Sequence, residues 1–108
     1  MKARVFITQE NPNLNYLPAE QFGDIVFLTR EDFSPVRNSL HNDALIAEVR
    51  QKLKDFNPET DFITVSGSPV VAAVVFMILS EKTKAINMLR WSNRDHVYQH
   101  LVINTKAF

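Results

Sequence analysis

The stretch Asp61-Phe-Ile-Thr-Val-Ser-Gly-Ser-Pro-Val-Val-Ala-Ala-Val-Val-Phe-Met-Ile-Leu79 limits what this chain can fold into more than any other. It reads as a short buried strand, Phe62 to Val65, a tight turn at Ser66-Gly67-Ser68, and a helix that is apolar on every side. Pro69 suits the first helical position, because the N–H it lacks is one the helix leaves unpaired there and its fixed φ fits the start. Ser68 is then the N-cap, its hydroxyl placed to accept from a first-turn amide. The helix Val70 to Leu79 is expected to need cover all round. Its valines are mediocre helix formers, so packing rather than propensity must specify it.

The remaining elements follow from periodicity and punctuation. Arg4 to Thr8 reads as a strand with Val5 and Ile7 on one face and Phe6 on the other. Gln9 to Gln21, broken by Pro12 and Pro18, is a long irregular excursion, with Leu14, Tyr16 and Leu17 expected to pin it to the core. Gly23 opens a strand from Asp24 to Thr29, whose continuous run Ile25-Val-Phe-Leu28 suits a central position covered on both faces. After a polar connection, Arg30 to His41, a helix starts near Asn42 or Asp43 and runs to about Phe56. Leu45, Val49, Leu53 and Phe56 form its one apolar stripe. Ala85 to Trp91 and Val97 to Ile103 are strands joined by the turn Ser92-Asn-Arg-Asp95, a hairpin.

The expected fold class is therefore α/β. It is a single domain over residues 1–108, with a small Rossmann-like sheet of about five strands in the order β-β-α-β-α-β-β. The strands are mostly parallel, through right-handed crossovers, and the last two form an antiparallel edge hairpin.

Composition excludes several function classes. With no cysteine, there is no disulfide, thiolate-bound zinc, iron–sulfur cluster or cysteine nucleophile. Twelve basic residues balance 12 acidic ones, so no net field draws the protein to nucleic acid or anionic lipid. The N-terminus has no signal-peptide pattern, and the longest apolar run, Val70 to Leu79, is far short of the ~20 residues that span a bilayer. No membrane role and a cytoplasmic location are expected. The phosphate-binding signatures G-x-G-x-x-G and G-x-x-x-x-G-K-[ST] are both missing, with glycine only at 23 and 67. Ser66 or Ser68 with His41, His96 or His100 lacks any nucleophile-elbow pattern, so no catalytic residue is assigned. His96 and His100 lie about 13 Å apart if in a strand, so no metal ligands are assigned either, and no cofactor is implied.

Two constellations remain. Ser66, Gly67, Ser68, Val70 and Val71 lie past a parallel strand at a helix N-terminus, where amides and the helix dipole favour an anion such as a nucleotide or other phosphate compound. The same residues also simply start a helix. Arg90, Trp91, Arg94, Tyr98 and His100 on the last hairpin could stack bases and hold phosphates of single-stranded nucleic acid. A half-exposed hairpin with one anchoring tryptophan explains them equally. An all-apolar helix in so short a chain also points to a homodimer, through Val70 to Leu79 or through the edge hairpin. The dimer would hide Val71, Val75, Phe76 and Leu79, unless the Gln9–Gln21 excursion covers them.

The run Phe22-Gly23-Asp24-Ile25-Val26-Phe27-Leu28, the helix end Lys52-Leu53-Lys54-Asp55-Phe56, and then Asp61-Phe62-Ile63, Gly67-Ser68-Pro69 and Leu89-Arg90-Trp91 resemble, in this order, short and mostly uncharacterised open reading frames of small bacteriophages. The likeness covers about residues 3 to 103, and where those sequences carry an acid after the glycine this chain has Ser68. The resemblance implies a phage accessory protein in the host cytoplasm, without family catalytic residues to carry over. The resulting expectation is a non-catalytic interaction module that binds a protein or nucleic acid. Its alternatives are a small-anion binder at Ser66–Pro69 and a single-strand binder on the hairpin.

Overall fold

The computed structural model describes residues 2–104. Among them run β1 (Arg4–Ile7), a 3-10 turn (Leu17–Gln21), β2 (Asp24–Phe27), α1 (Leu40–Leu53), β3 (Phe62–Thr64), α2 (Pro69–Lys82), β4 (Ala85–Ser92) and β5 (Val97–Asn104). The strands form one sheet in the order β2-β1-β3-β4-β5, with β5 alone antiparallel to its neighbour. This is an α/β fold with the strand order of flavodoxin-type doubly wound sheets, the last strand being reversed.

Handedness explains the layering. The connections β2 to β3 and β3 to β4 move one way along the sheet, whereas β1 to β2 moves the other way. Right-handed crossovers then put α1 and α2 on one face and the β1–β2 connection on the opposite face. The core divides accordingly. Phe6, Ile63 and Ile86 of the sheet pack under Leu45, Val49 and Leu53 of α1 and Val71, Val75 and Leu79 of α2. Val5, Ile7 and Leu89 project the other way, against Tyr16, Ala19 and Phe22 of the excursion. At roughly 1.5–3 kcal/mol for each large side chain removed from water, both layers contribute to holding the sheet.

α2 starts as its sequence dictates. Ser68 caps it by accepting from the Val71 N–H (3.4 Å), and Pro69 takes the first position. α1 begins earlier than expected, with Ser39 rather than Asn42 or Asp43 as cap. Asn42 is spent otherwise: its amide group donates to Ser34 O (2.9 Å) and accepts from Ser34 N (2.7 Å), tying the preceding loop to the helix. The helix stops at Leu53, short of Phe56, yet Phe56 remains buried against the Phe6 ring at 5.3 Å.

Three further expectations are corrected. β2 is an edge strand, not a central one; its run Ile25-Val26-Phe27 is apolar because α1 and the excursion cover its two faces in part. Tyr16 does pin the excursion, but Leu14 and Leu17 are more than half exposed, and Ala19 and Phe22 are the other anchors. α2 is not buried all round. Val71, Val75, Ile78 and Leu79 are covered within the single chain, Phe76 is partly so, and Val70 (54% exposed) and Met77 (67%) face water. The excursion lies on the far side of the sheet and covers none of α2.

Candidate binding site at the carboxyl edge

In a doubly wound sheet, ligands sit beyond the strand carboxyl ends, where neighbouring strands send their connections to opposite faces. Here that point lies between β1, which leads into the excursion, and β3, which leads into α2. The two strand ends are sewn together by side chains. Thr8 Oγ1 donates to Ser66 O (2.9 Å) and accepts from the Ser66 N–H (3.0 Å). Gln9 Oε1 accepts from the Ser68 N–H at 2.6 Å, while its Nε2 donates to Glu31 O (2.9 Å).

Of the first constellation, three amides are therefore engaged internally: Ser66 to Thr8, Ser68 to Gln9, and Val71 to the Ser68 hydroxyl. A neutral carbonyl oxygen from Gln9 sits on the Ser68 amide. The Gly67 N–H makes no hydrogen bond among the described residues, and Val70 stands exposed in the first turn. Gly67 has φ +75°, a backbone conformation that favours glycine, and a Cβ there would lie 2.0 Å from Gln9 Oε1, so the Gln9 side chain would have to move.

Beside this turn a groove of about 320 Å³ opens. Thr64, Val65, Ser66 and Gly67 line it from β3 and the turn, Leu14, Asn15, Tyr16 and Pro18 from the excursion, and Trp91 and Tyr98 from the hairpin. No lining side chain is charged at neutral pH. Trp91 and Tyr98 are paired across β4 and β5, their rings edge to face at 5.0 Å, with Trp91 38% exposed. Burial pushes the Tyr98 phenol above its ordinary 10.0, and Tyr16 adds to the shift.

At the inner end, the Tyr16 and Ser66 hydroxyls lie 2.7 Å apart, and Tyr16 also accepts from the Asn11 N–H (2.8 Å). The two hydroxyls carry two hydrogens, and their mutual bond uses one, whichever oxygen donates. The other has no partner among the described residues, and both residues that could carry it line the groove.

The second constellation is split. Trp91 and Tyr98 line the groove, and Arg94 is exposed in the turn at the same edge of the sheet. Arg90 lies on the helix side and donates to Gln99 Oε1 (2.8 Å from Nη2). His100 sits further along β5, opposite Leu89, bonded to Asn87 and edge-on to Phe62 at 5.2 Å. The sheet thus brings Ser66 and Gly67 of one sequence candidate together with Trp91 and Tyr98 of the other. Sequence reasoning missed Thr8, Gln9, Asn15 and the hydroxyl role of Tyr16. One signal was present: Tyr16 is one of only two tyrosines, and the other is Tyr98.

The family model described as "Phage Pam3 gp32-like protein" matches residues 3–105, nearly the whole chain and every residue of the groove. The chain belongs to this family. The phage resemblance read from the strand and turn motifs is thereby borne out. No curated protein and no solved structure matches the chain. No helix among the described residues is long and apolar enough to cross a membrane, and no group of three or more metal-ligating side chains occurs among them.

Proposed function

We propose that this phage-family protein is a non-catalytic binding module whose groove receives a planar, uncharged ring bearing a hydrogen-bond acceptor. A nucleobase of a nucleotide or of single-stranded nucleic acid has that chemistry. The observation that carries the reading is the convergence in one neutral groove of the Trp91–Tyr98 ring pair and the spare hydroxyl hydrogen of Tyr16 and Ser66. A base stacked on aromatic side chains gains roughly 1–3 kcal/mol, and the spare donor adds about 1 kcal/mol once desolvated.

Anion capture is a weaker fit for this site. The Ser68 amide already holds Gln9, and no cation lines the groove. Arg94, exposed in the neighbouring hairpin turn beside Asp95, is the candidate to meet a phosphate outside the groove while the ring lies within. The lining also supports a binder over a catalyst: its only titratable groups are two phenols, and that of Tyr98 is held above 10.0, far from the range of a general acid or base at neutral pH.

The single tryptophan gives the test. Titration with nucleosides, mononucleotides and single-stranded oligonucleotides should change Trp91 emission saturably, with oligonucleotide affinity falling as salt rises. Tyr98→Ala should weaken binding about tenfold, or about 1.4 kcal/mol. Unchanged emission and unchanged backbone amide shifts around Ser66 and Gly67 with all three ligand classes would refute the proposal.

A further inference from the structure

Among the described residues, the buried polar side chains are those of Thr8, Thr29, Asp61, Thr64 and Ser66. All but one are hydrogen-bonded: Thr8 to the Ser66 backbone, Ser66 to Tyr16, Thr29 to the Glu31 N–H, and Asp61 to the N–H groups of Arg4 and Asn57. The Thr64 hydroxyl, on a residue only 3% exposed, makes no hydrogen bond among the described residues. Its place in the sheet explains why. Thr64 pairs with Ile7 on one side and Leu89 on the other, on the face that the excursion covers, so its lateral neighbours are apolar. Valine has nearly the same shape and would fill that row with no hydroxyl to satisfy. No buried side-chain oxygen or nitrogen among the described residues is cut off from both a partner and solvent. The Thr64 oxygen therefore reaches open space, and the open space that Thr64 lines is the groove.

We infer that Thr64 is a ligand-contacting residue of the groove, its hydroxyl hydrogen-bonding a second polar atom of the ring held at Tyr16 and Ser66. The inference rests on the nucleobase reading of the groove and narrows it. The ring carries two polar atoms along one edge, as nucleobases do, rather than a single acceptor. Thr64 and Ser66 stand two positions apart in the chain and both line the groove, so two hydroxyls are offered side by side. A hydroxyl can donate or accept, so Thr64 answers either a ring carbonyl or a ring N–H. Left without a protein partner in an apolar row, the same hydroxyl contributes nothing to the fold, and a bound ring supplies what the row lacks. Stability favours valine at this position; binding favours threonine.

Thr64→Val in the full chain separates the two demands, with urea unfolding as one measurement and titration by nucleoside monophosphates, followed through Trp91 emission, as the other. The variant should unfold at the same or a higher urea concentration than the wild type, yet bind about tenfold more weakly. Thr64→Ser, which keeps the hydroxyl and loses the methyl, should unfold earlier but bind within about threefold of the wild type. A lower unfolding midpoint for Thr64→Val overturns the inference, because the hydroxyl would then be holding the fold. Binding by Thr64→Val as tight as that of the wild type, or by Thr64→Ser as weak as that of Thr64→Val, overturns it too and leaves the nucleobase reading standing. A wild-type chain that binds none of the nucleoside monophosphates overturns both.

Discussion

Replacing Gly67 by alanine sets two separable costs on the turn that starts α2. The first is local. At φ +75°, a Cβ is crowded by its own backbone, which costs about 1–2 kcal/mol. The second comes from the neighbour. The new Cβ would stand 2.0 Å from Gln9 Oε1 and 2.9 Å from Gln9 Cδ, so the Gln9 side chain must leave. Its departure breaks the 2.6 Å bond from the part-buried Ser68 N–H and the 2.9 Å exposed bond to Glu31 O, at a net cost of about 0.5–1 kcal/mol each, the lower part of the usual range. The total is roughly 2–4 kcal/mol. Gln9→Ala alone loses the same two bonds without the strain, about 1–2 kcal/mol, since water can reach the part-exposed Ser68 amide. In that background Gly67→Ala keeps a tight contact with the Cβ of residue 9 at 3.1 Å, so its cost is mainly the backbone strain. A double-mutant cycle by urea unfolding should therefore show a favourable coupling of about 1–2 kcal/mol between the two positions. Equal costs for Gly67→Ala in both backgrounds would refute the idea that Gln9 is seated on the helix start.

Other outcomes follow from the same structure. Asp61 is buried and accepts from the backbone N–H groups of Arg4 (2.9 Å) and Asn57 (2.8 Å) and from the Arg4 guanidinium (3.1 Å). Asp61→Ala should cost about 3–4 kcal/mol in urea unfolding, and Asp61→Asn, which keeps one acceptor oxygen, about half of that. The sidedness of α2 predicts that Leu79→Ala costs about 2–5 kcal/mol while Met77→Ala stays within about 0.5 kcal/mol; similar losses would contradict the packing described. In Tyr16→Phe the sole remaining tyrosine is Tyr98, and its ultraviolet titration should still lie above 10.0, because burial is the larger cause of its shift. Between 10.0 and the raised value the folded chain keeps a Tyr98 proton the unfolded chain has lost, so this group makes stability fall as pH rises past 10.0, and Tyr98→Phe should reduce that slope.

Short-range physics made much of this protein legible from sequence. Ser68 and Pro69 start α2 because cap chemistry involves only neighbouring residues, and the hairpin of β4 and β5 follows from alternation around one turn. The phage likeness rested on equally local motifs. Strand order was not local. The run Ile25-Val26-Phe27 has the same pattern whether a strand is central or is an edge covered from both sides, and the direction of the β1–β2 connection decided which. That connection also decided the site, by laying Tyr16 across the sheet beside Ser66, Trp91 and Tyr98, residues up to 82 positions apart in the chain (98 − 16).

The sequence by itself determined that the turn Ser66–Pro69 begins a helix after a strand, and that this unit anchors an α/β sheet. Only the tertiary structure determined that Gln9 sits on the Ser68 amide and that the helix is covered on one side within a single chain. It also joined the turn and the hairpin tip into one groove. The reason is physical: caps and periodicity act over a few residues, whereas the filling of an amide, the cover of a face and the meeting of two candidate sites depend on where the rest of the chain packs.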